Sequence, residues 1–174
     1  MNREVSGMHV KMEPLAPDHG RPVIDIFNHY IEHTFAAFLE NKVPYAFFNV
    51  LLKTAEGYPA AAMKTEAGEV IGFGFLRPHS PIPTMAGTAE ISYFLHPDHC
   101  GRGLGGILLD HLLEAAAVKG IHTILAAVSA VNEPSIRFHR KHGFAECGRF
   151  REVFRKRGRF VDTLWMQRML GDGK

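Results

Sequence analysis

Residues 90–106 read EISYFLHPDHCGRGLGG, a β-rich run that empties into a turn holding Gly101, Gly103, Gly105 and Gly106. The stretch that follows, ILLDHLLEAAAVK, has the apolar spacing of an amphipathic helix. A strand ending in a glycine turn that opens a helix makes a small anion site. The first N–H groups of the helix have no internal partner, and glycine lets a phosphate approach them closely. The stretch therefore predicts an α/β fold that holds a phosphate-bearing cofactor at this turn.

Gly101, Gly103 and Gly106 satisfy G-x-G-x-x-G, the dinucleotide fingerprint, a weak pattern on its own. Its second requirement is an acidic residue about 20 residues on, closing the next strand and holding a ribose. Here IHTILAAV ends in Ser129-Ala130-Val131, with no carboxylate. Three predicted strands also precede the one that leads into the turn, whereas a dinucleotide turn follows the first strand of its unit. The dinucleotide reading is set aside.

Outward from the turn, periodicity predicts a strand at 9–15, a helix at 17–34 on Val23, Ile26, Phe27, Tyr30 and Ile31, and a second helix at 44–56. Residues 58–65 and 69–76 read as a hairpin around Glu66-Ala67-Gly68. Pro78, Pro81 and Pro83 predict a loop over 77–87. A strand at 88–96 leads to the glycine turn, then a helix at 103–119, a strand at 121–128 and a helix at 133–142. A hairpin of 145–154 and 159–169 closes the chain, turning at Lys156-Arg157-Gly158. No repeat, linker or low-complexity tract interrupts this order, so residues 1–174 are expected to form a single domain.

Composition fits a small globular domain: 46% hydrophobic residues and 22% charged residues in 174 are enough for one core. A net charge of +2 is too small to imply nucleic acid as the main partner. The start, MNREVSGMHVK, has no apolar signal core, and charged or polar residues interrupt every apolar run before it could cross a bilayer. A cytoplasmic protein without a membrane partner is expected. Cys100 and Cys147 have no paired spacing, so no disulfide framework is expected. His29 with His33, and His96 through Cys100, offer donors at metal-ligand spacing, but neither set is complete and no metal is expected. Arg149, Arg151, Arg155, Lys156, Arg157 and Arg159 read as a solvated hairpin. Phe35, Phe38, Tyr45, Phe47 and Phe48 read as core.

Residues 100–105, Cys-Gly-Arg-Gly-Leu-Gly, resemble the pyrophosphate loop Gln/Arg-x-x-Gly-x-Gly/Ala of the GNAT acyltransferase superfamily. Residues 132–144, NEPSIRFHRKHGF, resemble its Asn-x-x-Ala/Ser-x-x-Leu/Phe-Tyr-x-x-x-Gly-Phe block. Two blocks in order are far more specific than one glycine loop. Residues 26–35 (IFNHYIEHTF), 90–99 (EISYFLHPDH, against Glu-x-Ser/Thr-Val-Tyr-Val-x-Pro-x-His) and the closing hairpin are similar to its phosphinothricin and methionine sulfone N-acetyltransferase branch. The resemblance implies the GNAT fold, a mixed sheet of about seven strands flanked by four helices. It also implies acetyl-CoA as cosubstrate, a homodimer whose second subunit helps close the acceptor cleft, and acetyl transfer to a small-molecule amine in a ternary complex. The alternatives are a protein N-terminal or lysine acetyltransferase and a non-catalytic acyl-CoA-binding module.

The same resemblance assigns residues. Glu90 would take the proton of the acceptor ammonium, or only anchor the amine or pair with a neighbouring base. His139, where the superfamily usually has Tyr, would protonate the CoA thiolate, or only hydrogen-bond or pack against the cofactor. Backbone N–H groups of Tyr93, Phe94 and Leu95 would bond the thioester and pantetheine. Gly101, Arg102, Gly103, Leu104, Gly105 and Gly106 would cradle the pyrophosphate, while Asn132 and Ser135 would hold the pantetheine, a role compatible with Asn132 being the N-cap of its helix. Phe35, Thr84 and Met85 would face the acceptor. Residues 82–86 read Ile-Pro-Thr-Met-Ala, where the branch carries Arg and Tyr, which points to a less anionic amine.

Overall fold

The chain runs β1 (Asn2–Val5), β2 (Met8–Pro14), α1 (Gly20–His33), α2 (Phe47–Thr54), β3 (Ala60–Thr65), β4 (Val70–Pro78), β5 (Thr88–Leu95), α3 (Leu104–Val118), β6 (Thr123–Ser129), α4 (Glu133–Lys141), β7 (Ala145–Lys156) and β8 (Arg159–Met169). These elements come from a computed structural model that describes residues 2–5, as backbone, and 8–171. The strands form one mixed sheet in the order β1-β2-β3-β4-β5-β6-β8-β7. This is the expected α/β arrangement with four helices, plus a short edge strand, β1, antiparallel to β2.

Helices cover both faces, so β4 is buried on both from Val70 to Leu76 and reads as a continuous apolar run. On one face α3 packs Leu104, Leu108, Leu109 and Leu112 against Ile71, Leu76, Ala89 and Ile91. On the other, α1 and α2 pack Val23, Ile24, Phe48 and Leu51 against Ala62, Phe73 and Phe75. At Gly74 a Cβ would stand 2.7 Å from both the Leu112 side chain and the Tyr93 Cβ, so α3 can lie this close only over glycine.

The feature that positions the site is the junction of β5 and β6, a parallel pair that lasts for three residue partners: Thr88 with Thr123, Ala89 with Ile124 and Glu90 with Leu125. Beyond Glu90 the two strands part. Antiparallel alternation fixes which β5 groups face the opening. His96 N–H bonds the Ile71 carbonyl, so Phe94 and Ser92 bond toward β4, while the backbone groups of Tyr93 and Leu95 turn toward the gap.

Most boundaries shift by a residue or two. The expected helix at 17–34 opens with a 3₁₀ turn at Pro17–His19 before α1. The expected helix at 44–56 shortens to α2 because Pro44 to Ala46 form a turn, with Phe47 N–H on the Pro44 carbonyl. One difference has chemical weight: the loop expected over 77–87 begins two residues late. β4 continues through Arg77 and Pro78, which pair with Glu90 and Ala89. Pro78 is tolerated because β3 has already ended beside it, so no ladder partner waits for its missing N–H. In the closing hairpin, Arg157 (φ 50°) and Gly158 (φ 73°) form a two-residue turn with both residues left-handed, as a twisted hairpin requires. Lys156 is not solvated as its neighbours are; it is fully buried, and its Nζ donates to the Ala37 carbonyl at 2.6 Å.

Candidate active site

A cleft of about 890 Å³ fills the gap between β5 and β6 and runs from the glycine turn to Glu90. At one end, Gly101 (φ 77°) and Gly103 (φ 81°) take left-handed conformations that turn the chain sharply into α3. Gly105 and Gly106 serve another purpose. A Cβ on either would press on Phe138 or His142, so these two glycines let α4 approach the start of α3. The first N–H groups of α3 thus point at a concave surface lined by Gly101, Gly103, Gly105 and Gly106. Leu104 has its side chain in the core, which leaves it only a backbone N–H to offer. Arg102 is exposed and lies off the lining of the cleft.

Along β5, Tyr93 and Leu95 direct backbone groups into the gap, and Tyr30 donates its hydroxyl to the Leu95 carbonyl at 2.8 Å. The expectation for Phe94 is corrected on this point. Its backbone groups belong to the β4 ladder, and its ring contributes to the lining while packing on Phe27, Tyr30 and Phe73. Across the gap, Asn132 caps α4 by accepting the Ser135 N–H at 3.2 Å, with Pro134 in the first turn. The Ser135 N–H is thereby used within the helix. Asn132 and Ser135 both line the cleft.

At the far end, Glu90 is 14% exposed at its side chain and engaged on both oxygens. Arg77 donates from Nε and Nη2 to Oε2 at 3.0 and 2.6 Å, and His79 Nδ1 lies 2.9 Å from Oε1. His79 in turn meets the edge of Trp165. The sequence allows Glu90 to pair with a neighbouring base, but the prolines that predict a loop over 77–87 conceal that Arg77 and His79 are the partners. Extending the period-two pattern through Pro78 would have set Arg77 directly opposite Glu90.

His139 is 5% exposed and sits on the cleft side of α4 against Phe144. Its Nδ1 lies 2.8 Å from the Ser135 carbonyl, which can only accept, so Nδ1 carries a proton. In the neutral ring Nε2 is then an acceptor, and the Tyr93 hydroxyl donates to it at 2.8 Å. Burial pushes the His139 pKa down; the Ser135 carbonyl partly opposes this and nearby His142 adds to it. Burial also pushes the Tyr93 phenol well above the ordinary tyrosine range, so it is a hydrogen-bond donor at neutral pH.

The residues expected to face the acceptor are not brought to the cleft. Thr84 and Met85 lie exposed on a 3₁₀ turn, and Phe35 lies under the Arg157 guanidinium, 5.6 Å away. Ala36, Ala37, Phe38 and Leu39 line the cleft in their place, with Phe47 from α2. Phe48 is core as expected, whereas Phe38 and Phe47 are walls. His29 and His33 contact each other, as do His96 and His99, and among the described residues no cluster of three or more His, Cys, Asp or Glu could hold a metal.

A sheet splayed at a parallel pair, with a glycine-turned helix start on one side and a paired carboxylate at the end of the gap, defines an acyl-CoA N-acyltransferase. Residues 23–144 match the Acetyltransferase (GNAT) family, and the chain belongs to it. It is 32% identical over 165 residues to phosphinothricin N-acetyltransferase of Streptomyces coelicolor, covering 92% of this chain and 96% of that one. It is 34% identical over 147 residues to L-methionine sulfoximine/L-methionine sulfone acetyltransferase of Pseudomonas aeruginosa, covering 83% of this chain and 86% of that one. The fold superposes on a GNAT superfamily phosphinothricin acetyltransferase from Sinorhizobium meliloti, solved with acetyl-CoA. The TM-score is 0.88 at 26% identity, over 95% of this chain and 90% of that one. The protein is an acetyl-CoA-dependent N-acetyltransferase. Among the described residues no helix is long and apolar enough to cross a membrane.

Proposed function

We propose that this chain, as a single domain, acetylates the primary amine of a small molecule by direct transfer from acetyl-CoA. The observation that carries the reading is the continuous cleft joining the glycine turn to Glu90 past His139. The residues fit the cosubstrate: free helix N–H groups for the pyrophosphate, Tyr93 and Leu95 backbone for the pantetheine and thioester, and the Asn132 amide opposite. Acetyl-CoA supplies the activated carbonyl; the chain's own groups align the amine, manage its proton and receive the thiolate. Glu90 draws the ammonium to the cleft and, with His79, takes its proton directly or through water. His139 manages the proton at the sulfur end.

The acceptor is less anionic than phosphinothricin. Arg77 is committed to Glu90, and 82–86 offers no cation to a desolvated carboxylate. The test is thiol release from acetyl-CoA across phosphinothricin, methionine sulfone, methionine sulfoximine, polyamines, aminoglycosides and short peptides. Turnover of uncharged or cationic small amines over phosphinothricin is expected. A preference for peptides would move the reading to protein acetylation, and acetyl-CoA binding without any turnover would overturn it in favour of a binding module.

We further propose a cytoplasmic homodimer. Edge strand β7 is exposed along almost its whole length and carries Phe150 and Val153 outward, a surface that a lone chain would ordinarily protect. The two cysteines are free thiols, as in a reducing compartment. Light scattering should give twice the chain mass, and Val153→Asp should lower it.

A further inference from the structure

We propose that the Tyr93 hydroxyl hands the proton to the departing CoA thiolate, with His139 recharging it from behind. The inference rests on the acetyl-transfer reading and changes which atom touches the sulfur. His139 has both ring nitrogens occupied, Nδ1 by the Ser135 carbonyl and Nε2 by Tyr93, and is buried. Tyr93 is the less buried residue of the pair and lines the cleft, on the strand whose backbone faces the gap. Its ring packs against Phe138 and the His139 ring. In the strand motif that 90–99 resembles, this position is a valine, so the hydroxyl is not something the motif brings.

The step balances. As the C–S bond of the tetrahedral intermediate breaks, sulfur takes the Tyr93 proton. The tyrosine O–H bond is remade with the proton from Nε2 of protonated His139. Sulfur ends as thiol, tyrosine is unchanged, and the imidazole is neutral. That end state is the arrangement observed, with Nδ1–H on the Ser135 carbonyl and Nε2 accepting from Tyr93. The acceptor nitrogen gives up two protons in all, the first to Glu90 with His79 and on to solvent, the second to water as the amide forms, and the imidazolium is restored from solvent. Burial disfavours that imidazolium, so it exists only transiently and gives up its proton readily. The groups facing His139 are Tyr93 from β5, Ser135 and Phe138 on its own helix, His142 at that helix's C-cap, and Phe144 beyond it.

Tyr93→Phe keeps the ring and removes the oxygen. It should lower kcat about 10²-fold, the usual scale for one general acid, while acetyl-CoA affinity stays within about threefold. His139→Gln should cost a similar factor, and the double variant no more than the worse single one, because both act in one relay. A second readout needs no acceptor: the ultraviolet thiolate absorbance of bound CoA. A phenol donating to the thiolate lowers the thiol pKa, so Tyr93→Phe should shift that titration upward. Wild-type kcat in Tyr93→Phe, or penalties that multiply in the double variant, would overturn the relay and leave His139 acting alone. If the wild type turned over no amine, the acetyl-transfer reading would fall. The thiolate titration would still decide Tyr93: a shift supports the contact, and identical curves refute it.

Discussion

The two ends of the cleft are made of different materials. The cofactor end is built from backbone: left-handed glycines at 101 and 103, the first N–H groups of α3, and the Tyr93 and Leu95 peptide groups turned into the gap. The reacting end is built from side chains that hold one another, Arg77 and His79 on Glu90, and Tyr93 and Ser135 on His139. A backbone cradle tolerates many side chains and fails only when the path of the chain changes. A side-chain constellation fails when one atom is exchanged. Mutations should therefore separate cleanly, lowering affinity for acetyl-CoA at one end and turnover at the other.

The sharpest way to break that separation is Glu90→Gln, which keeps shape and removes charge. It should lower kcat by about 10²- to 10³-fold and leave acetyl-CoA affinity nearly intact. Equal activity in variant and wild type would sink the role of Glu90 as base or ammonium anchor. Arg77→Ala separates the positioning part: if the ion pair only orients Glu90, acceptor KM should rise more than kcat falls, and acetyl-CoA affinity should not move.

Next in size is Gly103→Val at the opposite end. A left-handed conformation costs a β-branched residue about 1–2 kcal/mol or more, and the added methyls close on the concave surface. Acetyl-CoA affinity should weaken by about tenfold, which is what about 1.4 kcal/mol of lost binding produces, with kcat at saturation largely kept. Loss of kcat without loss of affinity would mean that the turn also aligns the thioester, and the division between the two ends would fail.

How much of each end could be read from the sequence follows from the same difference. Glycines at 101, 103, 105 and 106 and the Asn132-Glu133-Pro134 helix start leave a local signature, because a sharp turn and an N-cap demand particular residues at particular places. The pairing of Arg77 with Glu90 depends on where β4 ends. The prolines at 78, 81 and 83 hid two further strand residues and, with them, both partners of Glu90. The Tyr93 contact to His139 spans 46 residues and arises only once α4 docks beside the splayed strand. Thr84, Met85 and Phe35 were expected at the acceptor by likeness, but here the wall is supplied by 36–39. Lys156 pins that segment at the Ala37 carbonyl, and Arg157 bonds the Glu40 carboxylate and the Glu32 carbonyl. A lysine in a basic run gives no hint that it alone turns inward.

The smallest effect expected concerns stability, and it tests whether the reacting end is held together as tightly as its geometry implies. Burial favours neutral His139, so its folded pKa lies below the ordinary value of about 6.5. As pH falls below about 6.5, the unfolded chain takes up a proton that the folded chain refuses, so stability is complete above that value and is lost on acidification. Glutamine at 139 has no such proton to refuse. Urea midpoints for wild type and His139→Gln, taken at about pH 8 and about pH 5.5, give a double difference in which the other histidines cancel. His29, whose pKa burial also lowers, is among those that cancel because it is present in both proteins. Wild type should lose more stability on acidification than the variant. Equal losses would mean that the His139 ring accepts a proton in place without cost. It would then stand ready as an acid by itself, and the contrast between a tightly partnered reacting end and a permissive cofactor end would lose its strongest member.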